Sequence, residues 1–386
     1  MRGVGLLAAT AVALVGVVGG PPAPARAACV PDRAPLTVAA TASWDSQALG
    51  PERVAAFADG GGVRVAVLDS GVDGGHPQLR GRVLRGRDFL GGAGGGSVDC
   101  VGHGTAVAGI IAAAPQPGSA VRGLAPAAEV LPVRVTEQRR VDGAVTGATS
   151  APGRLAAAIR WAVGHGADVL NLSLVLGRDD PAVRAAVAYA VRADVVVVAA
   201  AGNAHESGDP MPYPAAYPGV LGVGAIRPDG QRVAASQVGA YVDVVAPGDG
   251  VLAAWPGGYA TVGGTSFATP FVAATAALVR QRWPALPAAE VARRVVATAD
   301  PAAGGRAAYG AGVLNPYRAV TEDEPPPRRP APAVLPDERP DPRAAATARA
   351  RAGRARQALT VAGVGAGAVG AALLAALVVP RGARRG

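Results

Sequence analysis

The sequence predicts an α/β protein whose mostly parallel central sheet is covered by helices on both faces. Three observations predict it. Short, continuous Val- and Ala-rich runs have the length of buried strands, amphipathic or Ala-rich segments of helical length separate them, and chemistry-bearing residues follow the ends of the strand runs. In such sheets functional groups gather at the carboxyl ends of the strands.

The elements run in order as Val63 to Leu68, Thr105 to Ala114, Glu129 to Val135, Leu155 to Val163, Ala167 to Leu172, Ala182 to Val191, Val195 to Ala199 and Val220 to Ala225. Asp69 follows the first strand run, and Ala201, Gly202 and Asn203 follow a later one. Near the end of this body, Phe267 to Arg282 reads as a buried helix that stops before Pro284 and holds Pro270 in its first turn. Ser266 then sits at the positive end of that helix, after a Gly263-Gly264 turn. A serine there is either an N-cap or a presented nucleophile.

Composition narrows the function classes. Of 386 residues, half are hydrophobic and 17% are charged, below the roughly 25% of an ordinary soluble domain. A large core is affordable, and membrane segments are compatible with it. The net charge of +9 does not point to nucleic acid, because the arginines are dispersed or lie beside a C-terminal apolar run, and few aromatics are present to stack on bases. Heavy use of Ala, Gly, Arg and Pro reads as the coding bias of a GC-rich genome.

The two ends differ from the body. Residues 1–27 carry Arg2 at the start, an apolar run from Val4 to Val18 and an Ala25-Arg26-Ala27 exit, the pattern of a secretory signal peptide cut after Ala27 or Ala28. Residues 28–62 form a polar extension with a short helix expected over Pro51 to Ala58. The cysteines, Cys29 and Cys100, in an exported setting predict one disulfide that clips this extension to the body. The closed loop is worth roughly 4 kcal/mol in the chain-entropy account.

The catalytic-sized body spans 63–321. Residues 322–357 form a Pro- and Arg-rich linker whose extended part, Pro325 to Pro342, reaches roughly 55 Å at ~3.1 Å per residue. Ala358 to Val379 is an uninterrupted apolar run long enough to span a bilayer, so a C-terminal transmembrane helix is expected, with residues 380–386 as a short cytoplasmic tail. Export of the body places it on the extracytoplasmic side of the cell membrane.

Three local contexts carry the chemistry. Asp69 stands in Leu68-Asp69-Ser70-Gly71, where a buried strand meets a glycine turn. His103 opens a helix of small residues in Gly102-His103-Gly104-Thr105, and Ser266 lies in Gly264-Thr265-Ser266-Phe267-Ala268-Thr269-Pro270. Singly, each has a structural explanation: a turn aspartate, a packed histidine, a cap serine. Together, the order Asp, His, Ser is that of the subtilisin-type hydrolases and differs from the orders used by chymotrypsin and the α/β-hydrolases.

These three segments resemble the signatures of the subtilases, and the resemblance covers roughly Val63 to Val320. Within that family the chain is similar to the mycosins, the membrane-anchored members associated with type VII secretion. His76-Pro77-Gln78-Leu79, Asp99-Cys100-Val101-Gly102, Tyr213 to Val220, the short extension, the linker and the C-terminal run add to the likeness. It implies a subtilisin-like three-layer fold and a serine endopeptidase acting on proteins or peptides beside a type VII secretion complex. A mainly structural role in such a complex is the alternative.

The resemblance also implies roles. Ser266 would attack the peptide carbonyl, neutral His103 would take and return the proton, and Asp69 would hold the ring. Asn203, with the Ser266 N–H, would hold the oxyanion. Substrate would add as a strand along Asn171 to Val175, making Ser173, Leu174 and Val175 contacts, with a side-chain pocket walled at Ala200 and Gly202. No zinc-ligand or EF-hand spacing is present, so no metal or other cofactor is expected, calcium included. His76, His165 and His205 are read as structural, and Asp179-Asp180 as a solvated turn. The 28–62 extension is too short for a self-folding inhibitory domain and is expected to wrap the body.

Overall fold

A computed structural model describes residues 39–91, 95–141 and 144–323, with the side chains of 139–141 and 144–145 left aside. The expected signal peptide, Cys29, the 324–357 part of the linker and the apolar run at 358–379 lie outside the described residues. Among the described residues no helix is long and apolar enough to cross a membrane.

In chain order the elements are α1 (Trp44–Leu49), α2 (Pro51–Ala55), β1 (Arg64–Asp69), β2 (Arg87–Asp88), α3 (His103–Ala112), β3 (Glu129–Arg134), β4 (Arg139–Val141), β5 (Ala144–Thr146), α4 (Pro152–Gly164), β6 (Val169–Leu172), α5 (Pro181–Arg192) and β7 (Val196–Ala200). They continue as β8 (Val220–Ile226), β9 (Val244–Pro247), β10 (Val251–Trp255), β11 (Gly258–Val262), α6 (Thr265–Arg282), α7 (Ala288–Ala297), α8 (Arg306–Tyr309) and α9 (Pro316–Thr321). A seven-stranded sheet runs β2-β3-β1-β6-β7-β8-β9 with every pairing parallel. The expected α/β class with a mostly parallel sheet is therefore the observed one.

Why both faces are covered is written in β1. Val65 and Val67 enter one apolar cluster with α3 and α6, while Ala66 and Leu68 enter a second with α4 and α5. Side chains alternate across a strand, so a strand buried on both faces has no polar positions to spare. The result is three layers. Leu68 and Leu170 are fully buried, each worth about 1.5–3 kcal/mol relative to exposure.

Strand order places the site. From β1 the chain first builds the edge strand β2 and then β3 between them on one side, and afterwards crosses to β6 on the other. The carboxyl ends of β1, β6 and β7 thus lie side by side, a crevice at a switch point. Asp69 ends β1, Ser173 follows β6, and Asn203 lies three residues beyond the end of β7.

Several boundaries differ from the sequence reading. Helix α6 begins at Thr265, two residues before the expected start, so Ser266 is inside the helix and Gly264 is its N-cap, with no side-chain cap. The N-cap reading of Ser266 fails for that reason, and Pro270 falls beyond the first turn. The extension carries the expected short helix as α2, ending at Ala55 and not Ala58, and a further one, α1, before it; the αL conformation of Gly50 separates them. Trp44 Nε1 donates to the Asp249 carbonyl at 2.8 Å, and Gln281 Oε1 accepts from the Asp59 and Gly60 N–H groups at 2.8 and 2.7 Å. The described part of the extension therefore lies against the body.

Candidate active site

Asp69 is 1% exposed in its side chain, and its Oδ1 accepts from His103 Nδ1 at 2.7 Å and from the Ser70 N–H at 2.7 Å. An ionised carboxylate can only accept, so Nδ1 carries the proton and Nε2 is left as an acceptor. The contact needs α3 to approach β1 closely. Gly104 allows this: a Cβ there would stand 2.0 Å from the Gly71 carbonyl oxygen and 3.1 Å from Asp69 Cβ. Gly102, the N-cap of α3, has φ 88°, and a Cβ on it would strike the Trp255 ring at 2.2 Å.

The imidazole of His103 feels opposing forces. Burial disfavours its charged form, but the charge of Asp69, the hydrogen bond to it and the charge of Asp99 favour it, and the net effect raises the group above the usual histidine value. Its side chain remains one-quarter exposed. The ring lies 4.7 Å, centroid to centroid, from Phe267, the neighbour of Ser266.

Helix α6 presents Ser266 through a local break in its own hydrogen bonding. Pro270 has no N–H, so the Ser266 carbonyl, four residues earlier, lacks its helical donor. Ser173 Oγ supplies one, at 2.7 Å, and receives Asn171 Nδ2 at 3.0 Å. Ser173, read from sequence as a substrate contact, is thus also a strut under Ser266.

Asn203 is fixed from the same helix. Its Oδ1 accepts the Thr265 N–H at 3.0 Å, which commits the other end of the amide, Nδ2, to donation. The Gly202 N–H in turn donates to Thr265 Oγ1 at 3.2 Å. Strand β7 and helix α6 are in this way tied at the point where Asn203 emerges.

His103 and Ser266 line one cleft of about 900 Å³ together with Ser173, Leu174 and Val175. Val135, Thr136, Thr149 to Pro152 and Leu155 form further wall, and Leu176 to Asp180 continue it. No hydrogen bond joins His103 to Ser266 among the described residues; catalytic hydrogen bonds often tighten only with substrate. Ala200 and Gly202 are buried and are not among the described residues that line this cleft. Gly202 is covered by Gln237, whose Oε1 would lie 2.1 Å from an added Cβ.

The other histidines and the Asp179–Asp180 pair are held by local contacts. His76 is buried with Nε2 3.0 Å from the Gly258 carbonyl oxygen, His165 caps the end of α4, and His205 pairs with Asp209 at 2.9 Å. Asp180 is not a solvated turn residue: it caps α5, accepting from Ala182 and Val183 N–H groups, while Asp179 is engaged by Arg184 and Tyr217. Among the described residues no cluster of three or more His, Cys, Asp or Glu could hold a metal ion.

Sequence reasoning missed one residue as a functional part. Asp99, 2% exposed, accepts from Ser70 Oγ, the Val101 and Gly102 N–H groups, and both the N–H and Oγ1 of Thr105, all within 3.0 Å. The signal was its position four residues before His103, in a segment read only as part of a family likeness.

A parallel α/β sheet that brings an acid, a histidine and a serine, in that chain order, to its carboxyl edge has the arrangement of a subtilisin-type hydrolase. The sequence pattern of the subtilase family of peptidases matches residues 60–317, and the chain belongs to that family. Subtilisin NAT of Bacillus subtilis subsp. natto is 39% identical over 259 residues, covering 66% of this chain and 65% of that protein. The chain therefore spans about 65% of that relative's length.

Two solved structures are similar over more of their length. MycP1, a serine protease described as an essential component of the type VII (ESX-1) secretion system, is 34% identical with a TM-score of 0.64, covering 75% of this chain and 91% of that one. MycP3, a protease from the type VII (ESX-3) secretion system, is 30% identical with a TM-score of 0.63, covering 76% and 92%.

Proposed function

We propose that this protein is an extracytoplasmic serine endopeptidase in which Ser266 is the nucleophile, His103 the general base and acid, and Asp69 the residue that orients and charges-balances the imidazole. The observation that carries the reading is the 2.7 Å contact between His103 Nδ1 and buried Asp69 Oδ1, made by a ring that shares its cleft with Ser266. Fixing the proton on Nδ1 frees Nε2 to accept the Ser266 hydroxyl proton as Oγ attacks the peptide carbonyl. The same Nε2–H then returns the proton to the departing amine, and water repeats the sequence to release the acid.

Attack leaves negative charge on the carbonyl oxygen. Asn203 Nδ2, its orientation set by the Thr265 N–H on Oδ1, and the Ser266 N–H are the donors for it. The peptide substrate pairs as an added strand with Ser173 to Val175. The endopeptidase reading is tested by turnover of internally quenched peptides: the full chain should cleave them, and Ser266→Ala should not.

The setting belongs to the same proposal. The signal-like N-terminus, the Pro- and Arg-rich linker and the apolar run at 358–379 support export and single-pass anchoring, with the peptidase domain outside and the tail cytoplasmic. A Cys29–Cys100 disulfide would hold the extension in place. Likeness to MycP1 and MycP3 supports association with a type VII secretion complex. That MycP1 is described as an essential component favours a second reading, a mainly structural role. Rescue of secretion in a deletion strain by Ser266→Ala would select the structural role; rescue by the active form alone would select proteolysis.

A further inference from the structure

Asp99 is a buried carboxyl that the acyl-transfer steps do not use, yet it is built into the support of the histidine. Its Oδ1 accepts from Ser70 Oγ at 2.9 Å, Val101 N–H at 3.0 Å and Gly102 N–H at 2.8 Å; its Oδ2 accepts from Thr105 N–H at 2.8 Å and Thr105 Oγ1 at 2.6 Å. The partners are placed on both sides of His103. Ser70 directly follows Asp69 at the end of β1, whereas Gly102 and Thr105 bracket His103 at the start of α3.

The hydroxyls extend the bracing. Ser70 Oγ accepts the Gly104 N–H at 2.9 Å, and Thr105 Oγ1 accepts the Asp73 N–H at 2.9 Å. Three of the five donors to Asp99 are backbone N–H groups, which cannot accept a proton in return. Both hydroxyls already take a backbone N–H, so their own hydrogens are free for the carboxyl. This donor set suits an ionised carboxylate, although burial outweighs the lowering effect of those hydrogen bonds and pushes the Asp99 carboxyl above its ordinary value.

We propose that Asp99 is a positioning residue for the reaction: it locks the first turn of α3 to the end of β1 and sets a second buried negative charge behind the Asp69–His103 pair. This rests on the reading of His103 as the base. Asp69 alone holds the ring by a direct hydrogen bond; Asp99 acts through the backbone around it and through its field. When His103 takes the serine proton, the imidazolium is stabilised by two carboxylates in place of one.

Other charges near the ring do not duplicate this role. Helix α6 contributes the uncharged Ser266 and Phe267 to the packing. At the end of β3, Arg134 lies 3.5 Å from Cys100 Sγ, but its guanidinium is engaged by Asp88 and Glu137. Across the cleft, Asp179 is paired with Arg184 and Asp180 is spent on the cap of α5. Arg178 also lines that wall.

The test is the pH dependence of kcat and KM for a quenched peptide, with the full chain and the Asp99→Asn and Ser70→Ala variants, alongside the 15N-histidine titration of His103 by NMR. Asp99→Asn is expected to lower kcat roughly tenfold at unchanged KM. It should also move both the acid limb and the NMR midpoint down by about half a unit to one unit. Ser70→Ala keeps the charge and cuts one brace, so kcat should fall severalfold while the midpoint stays near that of the parent.

Wild-type kcat and midpoint in Asp99→Asn would overturn the inference, as would a lower Tm with neither quantity changed. Should Asp99→Asn fail to fold, Ser70→Ala decides: reduced kcat at unchanged KM supports the proposal, and wild-type kcat overturns it. A parent chain lacking turnover that depends on Ser266 would instead defeat the underlying serine reading, a result visible before any variant is compared.

Discussion

The hydroxyl of Ser173 donates a 2.7 Å hydrogen bond to the main-chain carbonyl of Ser266. That carbonyl is the one Pro270 deprives of a helical N–H, so a break in α6 is closed by the segment that follows β6. The segment after β6, Ser266 and helix α6 are mechanically connected through one side chain. Asn171 supports it from beneath.

Ser173→Ala should therefore cost more than a surface serine. It leaves the Ser266 carbonyl and Asn171 Nδ2 without their partner, and Ser173 is only 6% exposed. The expected loss is about 1–3 kcal/mol of stability, together with a lower kcat. Urea unfolding and turnover measured on the same preparation check both.

The pH profile follows from the balance at His103. Burial works against its charged form, but Asp69 and Asp99 outweigh it and raise the group. Activity needs the neutral ring, so the acid limb of kcat/KM should lie above the ordinary value of about 6.5. The stability sign is the reverse. A raised native value contributes stability that is complete below the unfolded value and is lost as pH rises through the folded one. A limb centred below about 6.5 would contradict this balance.

The proposed oxyanion role of Asn203 and its bond to α6 use opposite ends of its amide. Asn203→Asp keeps an acceptor for the Thr265 N–H and removes the Nδ2 donor. It should leave Tm near that of the parent while kcat falls by ~10² to 10³ with little change in KM. Asn203→Ala should lose both the turnover and part of the stability. Paired kinetics and thermal unfolding separate the two.

Gly104 is predicted to be intolerant of even one methyl. A Cβ 2.0 Å from the Gly71 carbonyl oxygen forces α3 away from β1, at a cost of about 1–3 kcal/mol or more for overpacking. Because the Asp69–His103 bond depends on that approach, Gly104→Ala should reduce kcat as well as Tm. Calorimetry with a peptide assay checks the coupling.

The parallel sheet was legible because strands buried on both faces can only be apolar, as in Val65 to Leu68 and Val196 to Ala200. Local context and chain order singled out Asp69, His103 and Ser266, and the structure brings Asp69 against His103 and His103 into one cleft with Ser266. The start of α6 was not, since Thr265 and Ser266 look like turn residues until Asn203 and Gly202 are seen to engage Thr265. The place of Asp99 is not legible for a related reason. An aspartate in a Gly-rich segment gives no sign of burial, and its five donors come together only when β1 and α3 meet. Ser173 was read as a substrate contact, but its bond to the Ser266 carbonyl joins residues 93 positions apart.

The most direct test of the account is active-site labelling of the full chain with a fluorophosphonate, followed by peptide mapping. One adduct is expected, on Ser266, absent in Ser266→Ala and weakened in His103→Ala. An adduct on another serine, or undiminished labelling of Ser266→Ala, would contradict it.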